Sequence, residues 1–93
     1  MATVTKKELI ERIAARQGVN RLVAKRMIQE FLEQVLMELK KGNRLEFRDF
    51  GVFEIKERAA RTAQNPKTLQ RVTVPSKRTV KFKVGRLMRE SVE

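Results

Sequence analysis

The stretch Arg58-Ala59-Ala60-Arg61-Thr62-Ala63-Gln64-Asn65-Pro66-Lys67-Thr68-Leu69-Gln70-Arg71 decides the architecture of this chain. It is basic and poor in residues that build a core. It lies between runs with strand-like alternation, Val52, Phe53 and Ile55 before it and Val72, Val74, Val80, Phe82 and Val84 after it. Two extended segments framing a polar turn make a hairpin, here with Asn65-Pro66 near its tip. Ten residues of strand advance about 33 Å, so a ribbon over about residues 56–77 projects from a small body as an arm. From Arg58 to Arg89 there are ten Lys or Arg and no Asp or Glu, whereas Met1 to Glu57 carries twelve basic and nine acidic residues. The charge asymmetry therefore centres on the arm.

The body precedes it. Thr5 followed by Glu8 is a capping pair for a first helix that runs to about Arg16, with Leu9, Ile10, Ile13 and Ala14 on one narrow apolar face. Gly18 closes this helix and Asn20 caps the next. The second helix, about Arg21 to Lys40, carries Ala24, Met27, Ile28, Phe31, Leu32, Val35, Leu36 and Leu39 over roughly half its circumference. The first helix is too sparsely apolar to cover so wide a stripe, which predicts a homodimer through this face; coverage by the strands of a monomer is the alternative. After Lys41-Gly42-Asn43, Leu45 and Phe47, then Val52, Phe53 and Ile55, predict two short strands joined near Asp49-Phe50-Gly51, with Gly51 expected to supply the torsions of a tight connection. Phe47, Phe50 and Phe53 are expected to form one hydrophobic cluster. Phe31, Leu32, Val35, Leu36, Phe47, Phe50, Phe53 and Phe82 make up the expected dimer core. Arg86 to Val92 fits a short closing helix with Leu87, Met88 and Val92 turned inward.

Ninety-three residues suit one α+β domain, with a helical body at 4–42 and the sheet, arm and closing helix at 44–92. Such a body is near the size at which one core is marginal. The chain has no Cys and no His, so disulfides and the usual metal ligands are missing, and no metal or cofactor is expected. With no Tyr or Trp either, the common nucleophile and base arrangements cannot be assembled, and no catalytic residue is assigned. No apolar run approaches the roughly twenty residues of a membrane span, and no signal-peptide core opens the chain. Residence in the compartment of synthesis is expected.

A net charge of +11 favours a polyanionic partner. Arg58, Arg61, Lys67, Arg71, Lys77, Arg78, Lys81 and Lys83 can neutralise phosphates along a duplex. Pro66 is rigid, apolar on one edge and without an N–H, so it either wedges between base pairs or is simply a turn residue.

The run Phe50-Gly51-Val52-Phe53, Arg58-Ala59-Ala60-Arg61, Asn65-Pro66-Lys67-Thr68, Pro75 and Phe82-Lys83-Val84-Gly85-Arg86, together with the two-helix body, closely resembles the bacterial histone-like DNA-bending family of HU and integration host factor. The resemblance implies an intertwined homodimer or heterodimer whose two-helix base and small sheet carry long β-ribbon arms, with a short C-terminal helix. It implies that the arms embrace the minor groove of double-stranded DNA and that Pro66 enters the base stack. It further implies phosphate contacts from Lys6, Lys7, Arg86 and Arg89, and a cytoplasmic, nucleoid-associated location. The family's tip reads Gly-Arg-Asn-Pro with a Gly after the Thr, where this chain has Ala63, Gln64 and Leu69. Two lost glycines restrict the turn, and Gln64 replaces a charged groove contact by a neutral one beside Asn65. Leu69 is either an arm-packing residue or a second apolar contact with sugar edges. The resulting expectation is a non-enzymatic architectural protein of low sequence specificity, with a site-selective bender of the integration-host-factor kind, or an RNA-binding component of ribosomal type, as alternatives.

Overall fold

In the computed structural model, which describes Met1 to Glu93, the backbone falls into two units, residues 1–37 and 38–93. The first is built by helix α1 (Lys6–Gln17) and most of helix α2 (Arg21–Lys40). The Thr5 hydroxyl accepts a hydrogen bond from the Glu8 N–H at 3.3 Å, meeting one of the donors that a helix start leaves unpaired. Gly18 ends α1 in the left-handed region at φ 66°. Asn20 Oδ1 then accepts from the Leu22 N–H at 2.7 Å and opens α2. Ile10, Ala14 and Ala24 are buried and Ile28 packs against them. With two alanines among its members, this core is small. Of the apolar face expected on α1, Leu9 and Ile13 remain largely exposed.

The second unit begins with the last turn of α2, whose free carbonyls are met from three directions. The Gly42 N–H donates to Leu39 O and the Asn43 N–H to Glu38 O, both at 3.0 Å. The Arg78 guanidinium donates to Leu39 O at 3.2 Å and to Lys40 O at 3.3 Å. The Glu38 carboxylate accepts from Lys41 and Asn43, which hold its pKa below the ordinary value.

Five strands follow: β1 (Leu45–Phe47), β2 (Gly51–Arg58), β3 (Arg61–Gln64), β4 (Arg71–Val74) and β5 (Lys77–Val84). β1, β2 and β5 form an antiparallel sheet in that order, and β3 pairs with β4 in a second ladder. The predicted hairpin is therefore present but interrupted. Pairing stops at Arg58 opposite Lys77 and resumes at Arg61 opposite Val74 without a change of register, leaving Ala59-Ala60 across from Pro75-Ser76. Pro75 has no N–H to donate, which accounts for a break at this place.

The expected phenylalanine cluster forms around a member from the far strand. Phe82 lies 4.8 Å from Phe53 and 6.1 Å from Phe50 between ring centroids, and Phe53 meets Phe47 edge-on at 6.0 Å. Gly51 differs from expectation. The left-handed residue of the β1–β2 turn is Asp49, at φ 64°, and Gly51 is required for space, because a Cβ there would run into the Phe82 ring. A Cβ on Gly85 would come within 2.7 Å of the Asp49 carbonyl, and this close crossing lets the Gly85 and Leu87 N–H groups donate to Phe50 O and Asp49 O at 2.8 Å. Helix α3 (Arg86–Val92) thus starts on the β1–β2 turn. It buries no residue: Met88 is half-buried, while Leu87 and Val92 are exposed, contrary to the inward orientation expected for all three. At 3.6 residues per turn Leu87 and Val92 lie about 140° apart round the helix, so the three positions do not share one face.

Gly51→Ala should lower stability by about 1–3 kcal/mol, the usual cost of forcing a methyl into a filled site. Urea unfolding at matched concentration checks this.

Candidate nucleic-acid interface

Side chains two apart on a strand share a face, and so do directly paired residues on neighbouring strands. The β2–β5 register therefore sorts the sheet into two faces. One carries Phe53, Ile55, Val80 and Phe82; the other carries Lys56, Arg58, Lys77, Lys81 and Lys83, with Val52, Glu54 and Thr79 among them. Arg58 stands directly opposite Lys77, an unfavourable pairing of like charges. Glu54 offsets part of the field, lying 3.4 Å from Lys83 and 3.7 Å from Arg44. The Lys81 ammonium has its pKa lowered, first by the charge and contact of Lys56, then by desolvation and by Arg58 and Lys83. This basic face is an electrostatic cost to the free chain that a row of phosphates would relieve.

Further out, Gln64 pairs with Arg71 on one face of the β3–β4 ladder, with Thr62 and Thr73, while Arg61 shares the other with Ala63, Val72 and Val74. The tip is closed by backbone bonds of 2.8 Å from the Asn65 N–H to Gln70 O and from the Leu69 N–H to Asn65 O. Asn65 Oδ1 accepts from the Lys67 N–H at 2.9 Å, a side-chain turn that fixes the backbone around Pro66. Pro66 and Lys67 are exposed there. Gln64 Nε2 donates to Leu69 O at 3.3 Å, so its carboxamide braces the turn. Leu69 takes the left-handed backbone, φ 60°.

The remaining expected residues separate into groups. Arg78 does not stand with the basic face: besides its two carbonyl bonds it pairs with Glu57 at 3.2 Å. Arg86 pairs with Glu90 at 3.1 Å, and Arg89 is exposed on the same helix. In the first unit, Lys6 donates to Gln29 at 2.7 Å and, with Lys7, Arg21 and Lys25, lines a cleft of about 340 Å³ between the starts of α1 and α2. Lys56, Arg21 and Lys25 were missed by sequence reasoning. Strand parity with Arg58 was a sufficient signal for Lys56, whereas Arg21 and Lys25 needed the helix pairing.

The profile of the family described as "Bacterial DNA-binding protein" matches residues 4–93. The chain is 40% identical to integration host factor subunit alpha of Mannheimia succiniciproducens, over 98% of this chain and 93% of that one. It is 37% identical to the DNA-binding protein HU of Thermotoga maritima, over 97% and 100%. A cocrystal structure of Anabaena HU with DNA superposes with a TM-score of 0.77 at 32% identity, covering 96% of this chain and 97% of the other.

Two substitutions of basic residues should have opposite effects on stability. Arg78→Gln removes bonds to two carbonyls and a carboxylate and should destabilise the fold by about 1–3 kcal/mol. Lys81→Gln removes a repelled charge and should raise the melting temperature at low ionic strength, with the gain shrinking as salt is added. Because the folded state releases the Lys81 proton more readily than the unfolded state, wild-type stability should rise as pH passes from the lowered pKa towards 10.5, and the advantage of Lys81→Gln should fade across that window. Thermal melts over salt and pH check both.

Proposed function

Since the chain belongs to the bacterial DNA-binding protein family that contains HU and integration host factor, we propose that it is a non-enzymatic architectural protein that binds double-stranded DNA and stabilises bends in it. The observation that carries this reading is the basic face of Lys56, Arg58, Lys77, Lys81 and Lys83, a row of like charges leading towards the exposed tip at Pro66. The row supplies the phosphate contacts, joined by Arg61, Lys67 and Arg71 on the outer ribbon and by Lys6, Lys7, Arg86 and Arg89 elsewhere. Pro66 enters the minor groove and opens a base step, stabilising a kink. Its neighbours support this: Asn65 and the closing backbone bonds hold the turn in shape, so little ordering is left for the moment of binding.

Low sequence specificity follows from the same residues. The basic groups address phosphates, which carry no sequence information directly. Gln64, the side chain at the tip best suited to a base edge, is bonded to Leu69 O. Selectivity then comes from how readily a duplex deforms. The protein acts as a dimer, a homodimer in the simplest case or a heterodimer with a related chain. Phe31, Leu32, Leu36, Phe50 and Phe82 are each 38–58% exposed in the single chain, and covering them is the apolar gain of association. A cytoplasmic, nucleoid-associated location goes with this role.

End-to-end energy transfer and affinity on random, A-tract and nicked duplexes at fixed salt test the reading. Pro66→Ala should reduce the bend while retaining most of the affinity, and an unchanged bend removes the wedge. Arg58→Ala with Arg61→Ala should reduce the slope of log affinity against log salt by about 2. Preference for double-stranded RNA over DNA would overturn the proposal. Sedimentation at micromolar concentration should give a dimer, and a stable folded monomer would refute that part.

A further inference from the structure

Leu69 carries two features that work against each other in the free chain. Its backbone is left-handed at φ 60°, a region that favours glycine or asparagine over a branched side chain. That conformation is held from both sides, since its N–H donates to Asn65 O at 2.8 Å and its carbonyl accepts from Gln64 Nε2 at 3.3 Å. The residue is nevertheless 69% exposed, so the leucine does not repay the strain by packing on the arm. The expectation of an arm-packing residue therefore fails, and the apolar group is left displayed beside the tip. Pro66 and Leu69 bound the same four-residue turn, with only Lys67 and Thr68 between them. A second exposed apolar group thus stands near the proposed wedge, next to a cation suited to a phosphate.

Resting on the DNA-bending reading above, we propose that Leu69 is a second apolar contact of the arm tip, covered by deoxyribose and base edges at the step that Pro66 opens. A single proline presents one small apolar edge. Adding a leucine enlarges the surface that is buried only when the step is unstacked, so the gain is realised on deformed duplex and not on straight duplex. Leu69 is therefore a specificity-determining residue, one that favours nicked or easily kinked DNA over intact DNA. The side chain requires this placement to be useful, and the bracing by Gln64 and Asn65 maintains it despite the strained backbone. In this arrangement the departures at Gln64 and Leu69 act together.

The test compares wild type with Leu69→Gly, Leu69→Asn and Leu69→Met on a nicked and an intact duplex of one sequence at one salt concentration, with thermal melts of each free protein. Glycine and asparagine both suit the left-handed backbone, so those variants should melt at or above the wild-type temperature. They should lose about tenfold in affinity for the nicked duplex, the effect of losing roughly half the burial of a leucine side chain, and much less on the intact one. Leu69→Met, which keeps the apolar group, should stay within about twofold of wild type. If Leu69→Gly and Leu69→Asn bind and bend nicked DNA as wild type does, the assignment is wrong while the architectural role stands. A binding loss accompanied by a lower melting temperature also overturns it, since the residue would then be structural. Failure of the wild-type protein itself to bind or bend either duplex would bring down the broader reading together with this one.

Discussion

The register between β2 and β5 is the constraint on which the rest of the second unit depends. In a strand the side-chain period is two, so sliding one strand by a single residue would send every side chain to the opposite face. Here the register brings Phe53 against Phe82 and gathers Lys56, Arg58, Lys77, Lys81 and Lys83 on the other side. It is fixed at the base, where Gly51 leaves room for the Phe82 ring and Gly85 crosses the β1–β2 turn. At the far end the Asn65–Gln70 closure keeps the same alignment. Pro75 interrupts the hydrogen bonding between these anchors without shifting the register, so the basic side chains keep their faces although the ladder is broken.

Holding like charges on one face conflicts with folding stability, and the chain limits the conflict locally. Glu54 sits among the lysines near the body, where it meets Lys83 and Arg44. No carboxylate follows between Arg58 and Arg89, so neutralisation weakens towards the tip. Arg78 is the exception that the register explains. It falls on the face away from Lys77, opposite Glu57, within reach of the last carbonyls of α2. A cation at a helix C-terminus is favourable, and this one links the sheet to the helix end. Adjacent basic residues in the sequence thus do opposite work, Lys77 adding to the charged face and Arg78 closing a helix.

Much of this was legible in the residues because its causes are local. Thr5, Gly18 and Asn20 each act on backbone groups within a few positions, and all three stand where those signals put them. The hairpin was readable from alternation, and the family resemblance from the motifs around Asn65-Pro66. What was not legible depends on partners distant in sequence. Gly51 looks like a turn glycine until Phe82 is placed over it. Arg78 is one more cation in a basic stretch until residues 38 positions earlier come beside it. Leu87 and Val92 were expected to face inward, yet both are exposed in the single chain. The left-handed torsion of Leu69 follows from how the tip is closed, which composition alone does not reveal.

The small buried core bears on how these parts work together. Only Ile10, Ala14, Ala24 and Leu39 are buried hydrophobic residues in the single chain, and four residues of which two are alanines cannot offset the ordering of 93 residues. Under the proposed dimer, stability is gained where Phe31, Leu36 and Phe82 are covered, which makes folding and association one equilibrium. A chain stabilised in this way has a body whose integrity does not rely on its ribbon. The outer ribbon can then keep an exposed Pro66, a strained Leu69 and the cations Arg61, Lys67 and Arg71, because β3 and β4 add little to the apolar burial that holds the body together. Separating the stabilising surface from the strained, charged one is the physical reason that the tip can hold Ala63, Gln64 and a left-handed Leu69 while the fold of the body is retained.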